Sequence, residues 1–311
     1  MGCKYSISDS IYRPLNLAII SESRMIVAKN GEPLVYMAAR PKETPTSSWN
    51  EALKQATERY RKILKTYRFA RTKKRNRRGD YKFVNCGLSY GGGQKRVQNI
   101  SQGSKGNAKV VEEALEDPGI RRMAGFIDAC FNGVAPRVRE HYCDTLCTIL
   151  EHDKTLTPNF TNNVFAAATF NLGPNVTTAR HTDHMNYVSG WCAIIPLGDF
   201  NYHRGGLLVL WDLKLVIEFP PGTLIFLPSA LLQHSNTPIG RGETRMSFTQ
   251  FSAGGLFRWV DCGCKTQKDF EAEGGTLPQS GRQRWLDGLA RFDKWEDVVA
   301  RGLAAVSGRR H

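Results

Sequence analysis

The run Arg180-His181-Thr182-Asp183-His184-Met185-Asn186 concentrates groups that can hold a metal. Along an extended chain, residues i and i+2 project to the same side. His181 and Asp183 can therefore offer an imidazole and a carboxylate to one point. The chain has 7 histidines to complete the set, and His234 is the best placed. It follows Pro221-Gly-Thr-Leu-Ile-Phe-Leu-Pro-Ser229, a turn, a strand and a turn that would bring the chain back across a β structure. Two imidazoles and one carboxylate on one face of a metal leave three positions open, the arrangement of non-haem Fe(II) centres.

A second charged group lies beyond the triad. Arg245-Met-Ser247 sits among apolar and aromatic neighbours, Met246, Phe248 and Phe251. An inward arginine can grip a dicarboxylate through two parallel hydrogen bonds, and a serine two residues on faces the same way. This is a dock suited to 2-oxoglutarate. Arg241 stands in a Gly240-Arg-Gly242 turn and is expected to be exposed. His184 and His203 are expected at a rim or in the core, and Trp211, Trp259, Trp285 and Trp295 in packing.

The elements that must position these groups are legible in outline. Apolar runs Leu15–Ile20, Met25–Val27 and Leu34–Tyr36, with Asn30-Gly31 between the last two, predict strands joined by turns. Residues 48–70 read as a helix, with Trp49, Leu53, Ala56, Tyr60 and Ile63 near a 3.6 period. A short strand is expected at Tyr81–Val84. Residues 108–152 are helical with breaks at Pro118-Gly119 and Asn132–Pro136. After Pro158 the texture turns to β: Val164–Phe170, Trp191–Leu197, Gly206–Trp211, Leu213–Phe219, Thr223–Leu227 and Met246–Phe251. Short strands at this spacing suggest a sandwich or roll. Residues 278–306 return to helix.

The net charge of +14 comes from 43 basic and 29 acidic residues, and it suggests a polyanionic partner. Residues 161–260 are nearly neutral. The excess gathers between Arg59 and Arg78, a stretch without an acidic residue. Arg71–Arg78 can contact phosphates, serve as a nuclear localisation signal, or be a solvated linker. No stretch of about 18 apolar residues is present, so no transmembrane helix is expected. Met1-Gly2-Cys3 matches a myristoylation pattern, of a kind that recurs often by chance. The 8 cysteines are scattered, as expected for reduced thiols, and Cys262-Gly-Cys264 lacks a second cluster that would make it a zinc site.

Over about residues 160–255 this layout resembles the 2-oxoglutarate/Fe(II) dioxygenases of the TET/JBP group, most of all its fungal, transposon-associated members. The resemblance extends more loosely to Ser89-Tyr-Gly-Gly-Gly93 and the intervening helices. It implies an α+β fold, a jelly-roll-like double-stranded β-helix with flanking helices. It implies His181, Asp183 and His234 as Fe(II) ligands and Arg245, helped by Ser247, as the 2-oxoglutarate dock, with O2 as cosubstrate. Asn186 matches the position that reads the polar edge of a flipped cytosine-type base. Phe251 matches the aromatic that stacks on it. A histidine used by animal members is Ala253 here, and their Cys-rich zinc module is missing, which leaves base selectivity partly unassigned.

The expected organisation is one catalytic unit. Residues 1–155 hold strands, helices and a basic segment (59–96), residues 156–260 the core, and 261–311 a helical tail packed on it. The expected partner is methylated double-stranded DNA, bound by a nuclear monomer with no membrane attachment. A duplex base cannot reach a buried metal without being flipped, and flipping needs grip on phosphates. Lys73, Lys74, Arg75, Arg77 and Arg78 are the backbone candidates. Gly92, Gly93, Gln94, Lys95 and Arg96 form a candidate hairpin at the DNA, with Gln94 as a plug for the vacated space; a plain flexible turn fits as well. The expected reaction oxidises the methyl of 5-methylcytosine to hydroxymethyl, then formyl and carboxyl. Two other readings are an N6-methyladenine DNA (or RNA) demethylase or protein hydroxylase of the same chemistry, and a catalytically silent nucleic-acid-binding protein.

Overall fold

The computed structural model describes residues 13–15, 22–46, 48–70, 78–277 and 280–307. The calls on Leu15–Ile20 (beyond Leu15), Met1-Gly2-Cys3, Lys73, Lys74, Arg75 and Arg77 fall outside these residues. Over the described chain the structure is α+β, built on two sheets. The larger has eight strands, all paired antiparallel. In spatial order they are β2 (Arg24–Val27), β3 (Pro33–Ala38), β10 (Leu224–Leu227), β7 (Cys192–Asp199), β12 (Thr244–Phe251), β6 (Ala167–Leu172), β4 (Lys82–Ser89) and β5 (Gln98–Asn99). The smaller sheet runs β1 (Arg13–Leu15), β9 (Leu215–Ile217), β8 (Leu208–Leu210), β11 (His234–Asn236). One pocket is lined from both, by Asn171 and Ser247 of the large sheet and Leu208 and His234 of the small one.

Four helices lie in the first half of the chain, α1 (Trp49–Thr66) between β3 and β4 and α2 (Lys105–Leu115), α3 (Pro118–Val134) and α4 (Pro136–His152) after β5. Their starts are written locally. Ser48 and Ser104 cap α1 and α2 by accepting the Glu51 and Asn107 N–H groups. Asp117 caps α3, whose first position is Pro118. The apolar stripe of α1 buries Trp49, Ala56, Tyr60 and Ile63. Tyr60 packs edge-on against Phe170 of β6 at 5.5 Å, and its hydroxyl donates to the Ser247 carbonyl. Phe131, Tyr142, Phe165, Trp191 and Phe226 form an aromatic centre between helices and sheet.

Helices α1 and α3 cross at Gly119. A Cβ placed there would stand 2.3 Å from the Ala52 carbonyl oxygen, so only glycine permits this approach. Gly119→Ala is expected to destabilise the protein by about 1–3 kcal/mol, as overpacking does, measured by chemical denaturation. An unchanged midpoint would show that the helices separate freely.

Some elements differ from the sequence reading. The strand expected at Tyr81–Val84 runs on to Ser89, because it pairs with β6 from Lys82 to Gly87 and with β5 at Leu88 and Ser89. The predicted C-terminal helix is two, α7 (Gly281–Ala290) and α8 (Trp295–Ser307). Between them Phe292 and Asp293 turn inward, and Asp293 takes ion pairs from Arg137 and Arg301. Helices α5 (Gly254–Asp261) and α6 (Gln267–Ala272) and strand β11 carry too little period to be read. No described helix is long and apolar enough to cross a membrane.

Candidate functional site: a buried triad and an unpaired arginine

His181 and His234 meet through their backbones. The His181 N–H donates to the His234 carbonyl and the His234 N–H to the His181 carbonyl, at 3.1 and 2.9 Å. Residues that exchange both hydrogen bonds across an antiparallel bridge present side chains on the same face. The two imidazole centroids stand 4.3 Å apart. Asp183, two residues on, is anchored by its N–H to the Ser229 carbonyl at 2.8 Å. Its oxygens lie 3.6 Å from His181 Nε2 and 3.9 Å from His234 Nε2. Ligand atoms of all three residues lie within 4.8 Å of one another.

The hydrogen bonds also set the ring nitrogens. His181 Nδ1 lies 2.7 Å from the Ala179 carbonyl and His234 Nδ1 2.9 Å from the Leu232 carbonyl. A carbonyl only accepts, so each Nδ1 carries the proton and each Nε2 turns a lone pair to the common point. Asp183 Oδ1 is buried without a hydrogen bond. Arg78 Nη2 is 2.6 Å away, in an ion pair with it. The donor set, tautomers and spare carboxylate oxygen fit Fe(II).

Burial, ahead of repulsion from His234, pushes the His181 imidazole down to about 4. Burial likewise pushes His141 down to about 4. Both lie below the ordinary value, so the unfolded chain takes protons first as pH falls. The stability of the metal-free protein is expected to be intact above pH 6.5 and to be lost progressively between about 6.5 and 4. Thermal melts across that range test this, and a flat profile would refute it.

Arg245 lies on β12 and is 3 % exposed. Its Nη1 donates to the Val176 carbonyl at 2.9 Å, while Nε has no partner. No ion pair reaches it among the described residues. Gly206 leaves the room it needs: a Cβ there would stand 3.1 Å from Arg245 Nε. Burial lowers its pKa to about 10. A buried cation with an orphaned N–H is costly until an anion meets it, and this fits a carboxylate of 2-oxoglutarate. Ser247, two residues along the same strand, lines the same pocket and accepts from Asn171 Nδ2 at 3.1 Å.

Asn186 and Phe251 also line this pocket. Asn186 Nδ2 donates to Ser229 Oγ at 3.0 Å, which leaves Oδ1 as an acceptor. Ala253 bridges to the Asn186 backbone. Gly92, Gly93, Gln94, Lys95 and Arg96 do not line it. They lie in the β4–β5 hairpin, whose Gly91, Gly92 and Gly93 all have positive φ. Gln94 Nε2 is folded back onto Ser89 Oγ, and Arg96 lines a separate cavity with His152 and Trp259. Arg241 is exposed as expected. His184 is exposed, and His203, also exposed, pairs with Glu218 rather than entering the core.

Two corrections concern the basic run. Arg78, expected on a DNA backbone, turns into the pocket against Asp183. Arg59 and Lys62 are balanced by Glu113 and Asp117 of the neighbouring helical segment, and Arg61 by Glu58. The reading also missed Tyr81, Thr169 and Asn171, all pocket-lining. Thr169 and Asn171 alternate with Ala168 and Phe170 along β6, a polar face on an apolar strand that could have been found. Nothing in the sequence distinguishes Arg78 from its neighbours.

No family model matches the chain, and no curated protein matches it. Solved structures do. That of NgTET1 in complex with 5mC DNA superposes with a TM-score of 0.54 over 75% of this chain and 77% of that one, at 14% identity. The chain has the fold of NgTET1. A 2OG-Fe(II) oxygenase family protein from Burkholderia pseudomallei scores 0.32 at 14% identity, covering 68% of this chain and 93% of that one. A Pseudomonas putida prolyl-4-hydroxylase scores 0.34 at 15% identity, covering 68% and 90%. The match to NgTET1 is one of fold.

Proposed function

We propose that this protein is a 2-oxoglutarate/Fe(II)-dependent dioxygenase that oxidises the methyl group of 5-methylcytosine in DNA, to hydroxymethyl and onward to formyl and carboxyl. The observation that carries the reading is the buried, unpaired Arg245 in one pocket with the His181–Asp183–His234 cluster. The fold shared with NgTET1, whose structure holds 5mC DNA, supports the substrate. On this reading the two sheets are the halves of a double-stranded β-helix, and the chain is one catalytic unit. Its basic residues 73–77 meet phosphates, and the protein acts in the nucleus.

His181, Asp183 and His234 would hold the iron, and Arg245 with Ser247 the far carboxylate of 2-oxoglutarate. Arg78 adds a second cation to the same pocket for a dianion. When bound, iron with 2-oxoglutarate and O2 supplies an oxidant able to remove hydrogen from a methyl carbon that has no acidic proton. The chain's own residues position the base. Asn186 Oδ1 accepts from an exocyclic amine, which cytosine offers and thymine lacks. Phe251 offers its ring to the base face. Ala253 contributes no polar contact.

The test is mass spectrometry of nucleosides after incubation with Fe(II), 2-oxoglutarate and duplexes carrying either 5-methylcytosine or N6-methyladenine. Oxidised cytosines are expected. Formaldehyde and plain adenine would move the substrate to N6-methyladenine. Absence of any product, with no 2-oxoglutarate consumed, would end the enzyme reading.

A further inference from the structure

We infer that Met185 is an apolar wedge that enters the base stack of duplex DNA beside the target base. The inference rests on the nucleic-acid reading above, and it names the side chain that would fill the space a flipped base leaves.

Met185 is 55 % exposed, the most exposed large apolar residue described. A single exposed apolar residue is ordinary, so position and rigidity must decide. It lies between Asp183 of the metal cluster and Asn186, whose side chain lines the pocket. Neighbouring side chains thus part company, one inward to the base and one outward to solvent. Its seat is fixed by the backbone at four points. Asp183 N–H donates to Ser229, Asn186 N–H to Asp183, Tyr187 N–H to Ser252, and Gly254 N–H to the Met185 carbonyl itself.

The surroundings favour the same role. Gly91 of the β4–β5 hairpin comes so close that a Cβ there would touch Met185 Cε at 3.4 Å. Two more of the five exposed large apolar residues, Val188 and Leu231, sit on the loops that carry Met185 and Ser229. Arg180, stacked over Trp211 at 4.8 Å, adds a cation just before His181. An apolar tip suits a bent or opened duplex, where Met is among the residues that part base steps. Gln94 is less suited to this task, since its amide is engaged by Ser89. Met also lacks branching at Cβ, so it adapts to the gap it enters.

Kinetics and fluorescence together test this. A wedge matters only where a base must leave a stack, so the readout is the ratio of kcat/KM on duplex to kcat/KM on single-stranded DNA of the same sequence. Met185→Ala is expected to lower that ratio about tenfold, since the wedge offsets only part of the unstacking that a duplex base requires. It should also dim the rise in 2-aminopurine fluorescence when the probe flanks the target. Met185→Leu is expected to restore both. An unchanged ratio and unchanged fluorescence would overturn the wedge, as would an equal loss on duplex and single-stranded DNA. If the unsubstituted protein turns over neither DNA, the nucleic-acid reading falls first and the wedge falls with it.

Discussion

Asp183→Ala is expected to abolish turnover while DNA binding survives. The carboxylate is the only charged ligand of the cluster, and among the described residues its Oδ1 meets only the Arg78 ion pair. Losing a mere hydrogen-bond partner of a metal ligand costs roughly 10–100-fold. Losing the ligand itself must cost more. The variant should still fold, since Asp183 is held by its backbone N–H to Ser229, which alanine keeps. Iron titration, 2-oxoglutarate turnover and a DNA mobility assay on one preparation separate the terms. Turnover that persists would remove Asp183 from the ligand set. DNA binding lost in parallel would mean that the residue holds the loop rather than a metal.

Arg245→Met is expected to act in opposite directions on binding and on stability. Truncating one partner of a buried, hydrogen-bonded charge pair costs about 2–5 kcal/mol of affinity. The KM for 2-oxoglutarate should therefore rise by a factor between about 30 and several thousand. Without ligand the same guanidinium is a buried cation with an unsatisfied Nε. Replacing it by an apolar side chain of similar length removes that penalty, at the loss of one bond to the Val176 carbonyl. The ligand-free variant should melt at or above the parent temperature, and added 2-oxoglutarate should no longer raise it. A variant that melts well below the parent would show that Arg245 is a structural brace.

The fold class was readable because periodicity survives in sequence. The β texture at Val164–Phe170, Trp191–Leu197 and Met246–Phe251 announced β6, β7 and β12. The breaks at Pro118 and near Pro136 fell where they were expected. What escaped was short or paired at long range. β11 is three residues, Asp293 is buried through partners on α4 and α8, and Arg78 differs from its basic neighbours only in where the chain delivers it.

The same division holds at the site. Residue chemistry determined that His181, Asp183, His234 and Arg245 were the groups to watch, because imidazole, carboxylate and guanidinium do their work wherever they are placed. A spacing of two along extended chain joined His181 to Asp183, and the same spacing on β12 joined Arg245 to Ser247. Tertiary structure alone decided that His181 and His234 face one another across a two-bond bridge, and that Arg245 lies buried with no ion pair among the described residues. It alone set Met185 outward beside an inward Asn186. Sequence carries local geometry and chemical type. Burial and cross-strand register arise when distant segments meet, and those are what turn the same residues into a site.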